Sequence, residues 1–187
     1  MRPEAETDLA KRLRAGTLEL GTAFAFFSGL YFRGKLGYAR HFGSDETTFI
    51  ITPTRGLMTT TDLVDPDLIR EFASLDVAEG DHRYRKPLER DVRALAKRIA
   101  PRAQVVLLGS VSSGKYVDVL QPLLGDRLCY PSSFIGRGDM SRGGLLLRCV
   151  ADDTELDYQP LVAGVRPKGS RPPRLDPTTR PKPYVVR

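Results

Sequence analysis

The sequence predicts an α/β fold: a three-layer sandwich with a central, mostly parallel sheet of four to five strands between layers of helices. Three observations lead there. Short apolar runs rich in β-branched residues, TTFIIT at 47–52 and QVVLL at 104–108, end at turn residues and read as buried strands. Amphipathic helical patterns lie between such runs, and alternation of this kind places helices on the faces of a parallel sheet. The chain has 187 residues, 41% of them hydrophobic and 28% charged, enough for one sizeable core.

The elements follow in order. Residues 5–15 read as a short charged helix. Residues 18–27 are apolar and fit helix or strand. Residues 30–42 fit a helix with one basic face, weakened by Gly34 and Gly37. After the strand at 47–52, Asp65 and Pro66 open a helix over 66–74 as N-cap and first helical residue. Leu88, Val92, Leu95, Ala96 and Ile99 recur on one helical face, which predicts a helix over 87–100. The strand at 104–108 leads to a helix over 115–124 and a short strand at 127–130. Residues 144–150 and 156–162 read as two further strands, joined by the acidic turn 151–154.

Charge divides the chain unevenly. The formal net charge is +6. Residues 165–187 hold seven basic residues, one acid and six of the 14 prolines, so the whole excess lies there. Residues 1–164 therefore read as one charge-balanced α/β domain, and 165–187 as a basic, proline-rich tail. Proline fixes φ and removes donors, so the tail is expected to be extended and mobile. It reads as a solubilising segment, a basic arm for a phosphate backbone, or a docking strand ending in Tyr184-Val185-Val186.

Several classes drop out. No apolar run approaches the ~18 residues of a membrane span. Glu4, Glu6 and Asp8 precede any apolar stretch, unlike a signal peptide. Two cysteines, Cys129 and Cys149, and two histidines, His41 and His82, are too few for a disulfide framework or a multi-histidine metal centre. No metal and no cofactor is expected, and the reading is cytoplasmic with reduced thiols. The sequence does not fix the oligomeric state.

Three loops follow predicted strands, where α/β folds bind ligands. The first is Thr52-Pro53-Thr54-Arg55-Gly56-Leu57, in which Thr52, Thr54 and Arg55 offer two hydroxyls and a phosphate-binding guanidinium. The alternative is a plain turn whose Arg55 pairs with Asp62 or Asp65. The second runs from Gly109 through Ser110, Ser112, Ser113 and Gly114 to Lys115. It has the spacing of a phosphate-binding P-loop between a strand and a helix, but Tyr116 stands where the motif places a magnesium-binding Ser or Thr. The alternatives are a weaker phosphate site and a structural turn. The third, residues 130–144, places Ser132 and Ser133 as hydrogen-bond donors, Arg137 and Arg142 as phosphate ligands, and Phe134 as a stacking face. The alternative is an ordered loop with Arg137 and Asp139 paired internally.

A strand ending in Val-Val-Leu-Leu-Gly-Ser, a helix, a short strand, then Tyr130-Pro131-Ser132-Ser133 and a Gly/Arg-rich loop resembles the C-terminal half of the uracil-DNA glycosylase superfamily. The stretches Tyr31-Phe32-Arg33 to Tyr38-Ala39-Arg40 and Ile50 to Leu57 are similar to glycosylase-like domains of the YaaA and archaeosine-synthase type. The resemblance spans roughly residues 30 to 148. It implies a glycosylase-like fold, a nucleic-acid or nucleotide partner, and hydrolysis of an N-glycosidic bond of a modified or damaged base. Such enzymes place an activating Asp or Asn after the first core strand; the loop 52–57 has none, and Tyr130 stands in place of the base-contacting His. The resemblance therefore implies a base drawn from Asp62, Asp65 or Asp139, with Tyr130 or Arg137 stabilising the leaving group and Phe134 or Tyr31 stacking on the base. The alternatives are a non-catalytic DNA- or RNA-binding module with the same cleft, and a degenerate P-loop nucleotide-binding protein.

Overall fold

A computed structural model describes residues 3–76, 81–112 and 114–176, with side chains from residue 8 onward. Helix α1 (Pro3–Arg14) leads through a tight turn at Gly16 to strand β1 (Leu18–Glu19), helix α2 (Leu20–Phe27) and helix α3 (Gly29–Phe42). The ambiguous stretch 18–27 is thus mostly helical. Strands β2 (Phe49–Thr52) and β3 (Gly56–Thr59) form a hairpin, and β4 (Leu63–Val64) returns to pair antiparallel with β1.

Helix α4 (Pro66–Ala73) starts where Asp65 accepts the Leu68 amide at 2.8 Å. Helix α5 (His82–Arg98) begins at an Asp81 cap, a turn and more before Pro87. Strand β5 (Val105–Val106), helix α6 (Gly114–Leu124) and strand β6 (Leu128–Pro131) make a parallel strand–helix–strand unit. A single 3-10 turn leads to helix α7 (Asp139–Ala151), and β7 (Tyr158–Pro160) pairs antiparallel with β6.

The central sheet is not formed. Among the described residues the strands make sheets of two, two and three members, and β5–β6 is the parallel pair. One cause is local to 52–56. Thr52 Oγ1 donates to the Gly56 carbonyl at 3.0 Å, and Gly56 takes a left-handed φ of +72°. That turn folds β2 back on β3, so the run expected to enter a larger sheet is satisfied within its own hairpin. The other cause is 144–150, expected as a strand, which lies inside α7. Its buried face, Arg142, Gly143, Leu146 and Cys149, repeats at helical spacing, and half of that period lies upstream of the apolar run.

Burial follows three clusters. The largest packs α5 and α6 against the three-stranded sheet, with Leu88, Val92, Leu120, Leu128 and Tyr130 at its centre. A second joins β1, β2 and β4 with α2 and α4 through Leu18, Leu20, Ile50 and Phe72. The third, Tyr38, Phe134, Leu146 and Cys149, seals α3 against α7. No helix among the described residues is long and apolar enough to cross a membrane.

Candidate functional site

Parallel pairing of β5 and β6 sends both strands' carboxyl ends the same way. The loop before α6 and the loop before α7 therefore open side by side, and Leu107 N donates to Cys129 O at 2.8 Å as the ladder ends. Helix α3 is tied to the first of these loops by the Tyr31 hydroxyl, which donates to the Leu108 carbonyl at 3.3 Å. It is held to the second by Tyr31 against the Phe134 ring, with centroids 6.4 Å apart.

Six side chains interact where α3, α6 and α7 meet: Tyr31 and Lys35, Lys115 and Tyr116, Asp139 and Arg142. Lys35 Nζ lies 4.0 Å from the centre of the Tyr31 ring. The Arg142 guanidinium is nearly buried, 5.5 Å over the Phe134 ring; its Nε donates to the Phe134 carbonyl at 3.3 Å, and its outer nitrogen is 3.5 Å from Asp139. Lys115 Nζ sits 5.5 Å from the Tyr116 ring centre.

Burial dominates the electrostatics here. It pushes the Tyr31 hydroxyl up to about 12, against the pull of Arg142. It brings Lys35 down to about 8, with Arg142 and Lys115 adding to the fall and Asp139 opposing it. Tyr116 is raised for the same reason, with a contribution from Asp139. Three cations and one carboxylate thus act on one another near the first turn of α6, with Lys35 the desolvated member. An anion with several oxygens matches that charge, because phosphate takes charge-assisted hydrogen bonds from Lys and Arg.

The loop 109–115 carries Lys115 into the start of α6. Gly109 is buried, and a Cβ there would stand 3.1 Å from Leu107 Cδ1. Ser110 Oγ and Ser112 Oγ are 3.0 Å apart and hydrogen bond each other. Ser113 lies outside the described residues.

The first loop does not join this site through its polar groups. Arg55 clasps Glu71 of α4 with two nitrogens at 2.7 and 2.5 Å, and Thr54 donates to the same carboxylate at 2.5 Å. Thr52 is buried in the hairpin turn. The acids named beside it are structural. Asp62 accepts the Thr59 amide at 2.7 Å, and Asp65 caps α4. Glu71 is Arg55's partner rather than either of them.

Tyr130 sits in the largest core cluster, its hydroxyl 3.5 Å from Gln159 Oε1. Phe134 is fully buried, so its ring is a wall under Arg142 rather than an open stacking face. Ser132 Oγ donates weakly to the Asp157 carbonyl, and Ser133 Oγ is buried without a hydrogen-bond partner among the described residues. Arg137 turns away from Asp139. Its nitrogens donate to Ser133 O, Ser141 Oγ and Pro173 O at 3.1, 3.1 and 3.4 Å. Of the named residues, Tyr31, Lys115, Asp139 and Arg142 are brought together. Lys35 and Tyr116 complete the group; Tyr116 enters the sequence reading only as the residue in the magnesium-binding position, and the basic face of 30–42 is the signal for Lys35.

The first part of the tail is bound to the body. Arg166 pairs with Asp118 on α6, Arg148 Nη2 donates to Asp176 O at 2.6 Å, and Gly136 approaches the Ser170 backbone at a φ of +72°. Residues 177–187 lie outside the described residues. No group of His, Cys, Asp and Glu able to hold a metal ion occurs among the described residues.

Comparison with protein-family models, curated proteins and solved structures found no match.

Proposed function

We propose that this is a nucleotide- or nucleic-acid-binding protein whose cleft between α3, α6 and α7 takes a phosphate. One observation supports this most: Lys35, Lys115 and Arg142 share the carboxylate of Asp139, and burial already disfavours the charge of Lys35. Gathering cations at that cost is repaid when an anion enters. Tyr31 and Tyr116 place two aromatic rings beside the same cations. Two buried free thiols, Cys129 and Cys149, support a reducing, cytoplasmic setting.

Hydrolysis of an N-glycosidic bond is part of this reading only through Asp139. Asp62 and Asp65 are engaged as caps and Tyr130 is in the core, so Asp139 is the named general base that stands among the cations. Its role in a reaction is to activate water beside a phosphate held by Lys115 and Arg142.

The test is fluorescence anisotropy with a 5′-phosphorylated single-stranded oligonucleotide, for wild type and Lys115→Ala. The reading expects at least tenfold weaker binding in the variant, and base release from a panel of modified oligonucleotides that Asp139→Asn abolishes. Equal affinity of wild type and Lys115→Ala contradicts phosphate binding in this cleft.

A further inference from the structure

We propose that residues 166–176 form a track for the phosphate backbone of a nucleic-acid strand, with Lys168, Arg171 and Arg174 as its contacts. The track is distinct from the Lys35–Lys115–Arg142 cluster and does not depend on it. The segment is neither helix nor strand, and no residue in it takes a positive φ. Pro167, Pro172 and Pro173 fix φ and hold the residues before them extended. A chain of this kind turns once in about three residues, so every third side chain returns to the same side.

One side is fastened to the body, at 166, 169, 172 and 175. Arg166 pairs with Asp118 of α6. A Cβ on Gly169 would meet Ile135 Cγ2 at 2.6 Å. Pro172 Cδ is 3.1 Å from a Cβ built on Gly136, and Leu175 Cδ1 is 3.5 Å from one built on Gly144 of α7. Two carbonyl oxygens add further ties. Arg137 donates to Pro173 O at 3.4 Å, and Arg148 donates to Asp176 O at 2.6 Å.

The cations repeat at the same spacing on another side, at 168, 171 and 174. All three are exposed, and none forms an ion pair or a side-chain hydrogen bond among the described residues. Pro167, Ser170 and Pro173 make the remaining side, so no acid stands beside the row. At a rise of about 3.1 Å per residue, the row from Lys168 to Arg174 runs about 19 Å. That length of fixed positive charge matches a linear polyanion better than a single phosphate. The guanidiniums of Arg137 and Arg148, held at the carbonyls beneath, add to the potential. The row carries no apolar chain to enter a bilayer and no aromatic anchor for a protein. Because the body already holds the segment, little of it has to be ordered on binding. Contacts of this kind position a strand without reading its sequence.

The salt dependence of binding tests the track. Fluorescence anisotropy is measured on the full chain with a labelled oligothymidine, single-stranded or paired with oligoadenosine. The variant is K168Q/R171Q/R174Q. The control, K86Q/K97Q/R98Q, removes the same charge from exposed positions of α5. The track variant should bind the single strand at least tenfold more weakly at low salt. Its slope of log affinity against log salt should flatten by up to about 2 on the single strand and about 2.7 on the duplex, while the control keeps the wild-type slope. A larger loss on one of the two identifies the form that the track takes. Thymidine 5′-monophosphate should bind wild type and the track variant alike, because one phosphate cannot span the row. Unchanged affinity and slope in the track variant, or equal flattening in the control, overturn the proposal. Loss in Lys115→Ala alone overturns the track and leaves the cleft reading standing; loss in the track variant alone does the reverse. Tighter track-dependent binding of polyglutamate or of phosphatidylserine vesicles overturns nucleic acid as the partner.

Discussion

Gly34 of α3 and Gly143 of α7 lie backbone against backbone. A Cβ on Gly34 would stand 2.7 Å from the Gly143 carbonyl oxygen, and one on Gly143 would stand 2.8 Å from Tyr31 Cα. Both atoms are main chain and cannot swing aside. This contact sets the spacing of the two helices and brings Tyr31 and Lys35 up against Asp139 and Arg142. The glycines that weaken the helical propensity of 30–42 are what make the crossing close.

Gly143→Ala is therefore expected to destabilise the fold by about 1–3 kcal/mol, the usual cost of overpacking, despite the better helix propensity of alanine. Phosphate binding should weaken with it. Gly138→Ala is the control, because nothing lies within 4 Å of a Cβ there. Chemical denaturation of both variants checks this; equal stability of the two would place the crossing elsewhere.

The pH dependence of binding follows from Lys35. Its partners are Tyr31 on its own helix, Asp139 and Arg142 on α7, and Lys115 on α6. Its amine is lowered from 10.5 to about 8, and an arriving dianion favours the charged form. Affinity should be full below about 8 and fall as pH rises through it. The ligand-free protein should behave oppositely. Because the folded amine loses its proton more readily than the unfolded one, stability should rise between about 8 and 10.5. Calorimetric titrations of wild type and Lys35→Met read both, and the variant should lack both slopes.

Arg55→Ala should leave phosphate affinity at the wild-type value, since its guanidinium is occupied by Glu71 on a hairpin turn. A measurable loss in the anisotropy titration would return the 52–57 loop to the site. Thr52→Val should act on stability instead, because its hydroxyl closes the turn at Gly56 and accepts the Arg55 amide at 3.2 Å.

Deleting residues 177–187 removes Arg180, Lys182 and Arg187 and no acid. If these contact a duplex backbone, each gives a slope near 0.9 in log affinity against log salt, so the deletion should flatten the slope by up to about 3. An unchanged slope assigns the salt dependence to the cations of the 166–176 segment and the cleft.

The parts of this fold legible in the sequence are those with a complete local signal. The strand–loop–helix at 105–124 and the strand at 128–131 stand where apolar runs and turn residues placed them, and so the loops before α6 and α7 were found. The expected central sheet is not formed, and the actual pairing was not legible because strand pairing is non-local. Nothing within 47–52 says that its partner is 56–59 rather than a distant strand. The apolar run 144–150 concealed a helix for a related reason: its face is completed by Arg142 and Gly143, a charge and a glycine that a hydrophobic count ignores. Lys35 owes its place beside α7 to the Gly34–Gly143 crossing, a contact between segments far apart in the chain.

The most direct test is a ¹H–¹⁵N NMR titration of the full chain with a 5′-phosphorylated nucleotide. The account predicts saturable shifts at Lys35, Gly109, Lys115, Asp139 and Arg142, with the Thr54 and Arg55 amides still. Shifts centred on 52–57, or none in the α3–α6–α7 cluster at saturating nucleotide, would contradict it.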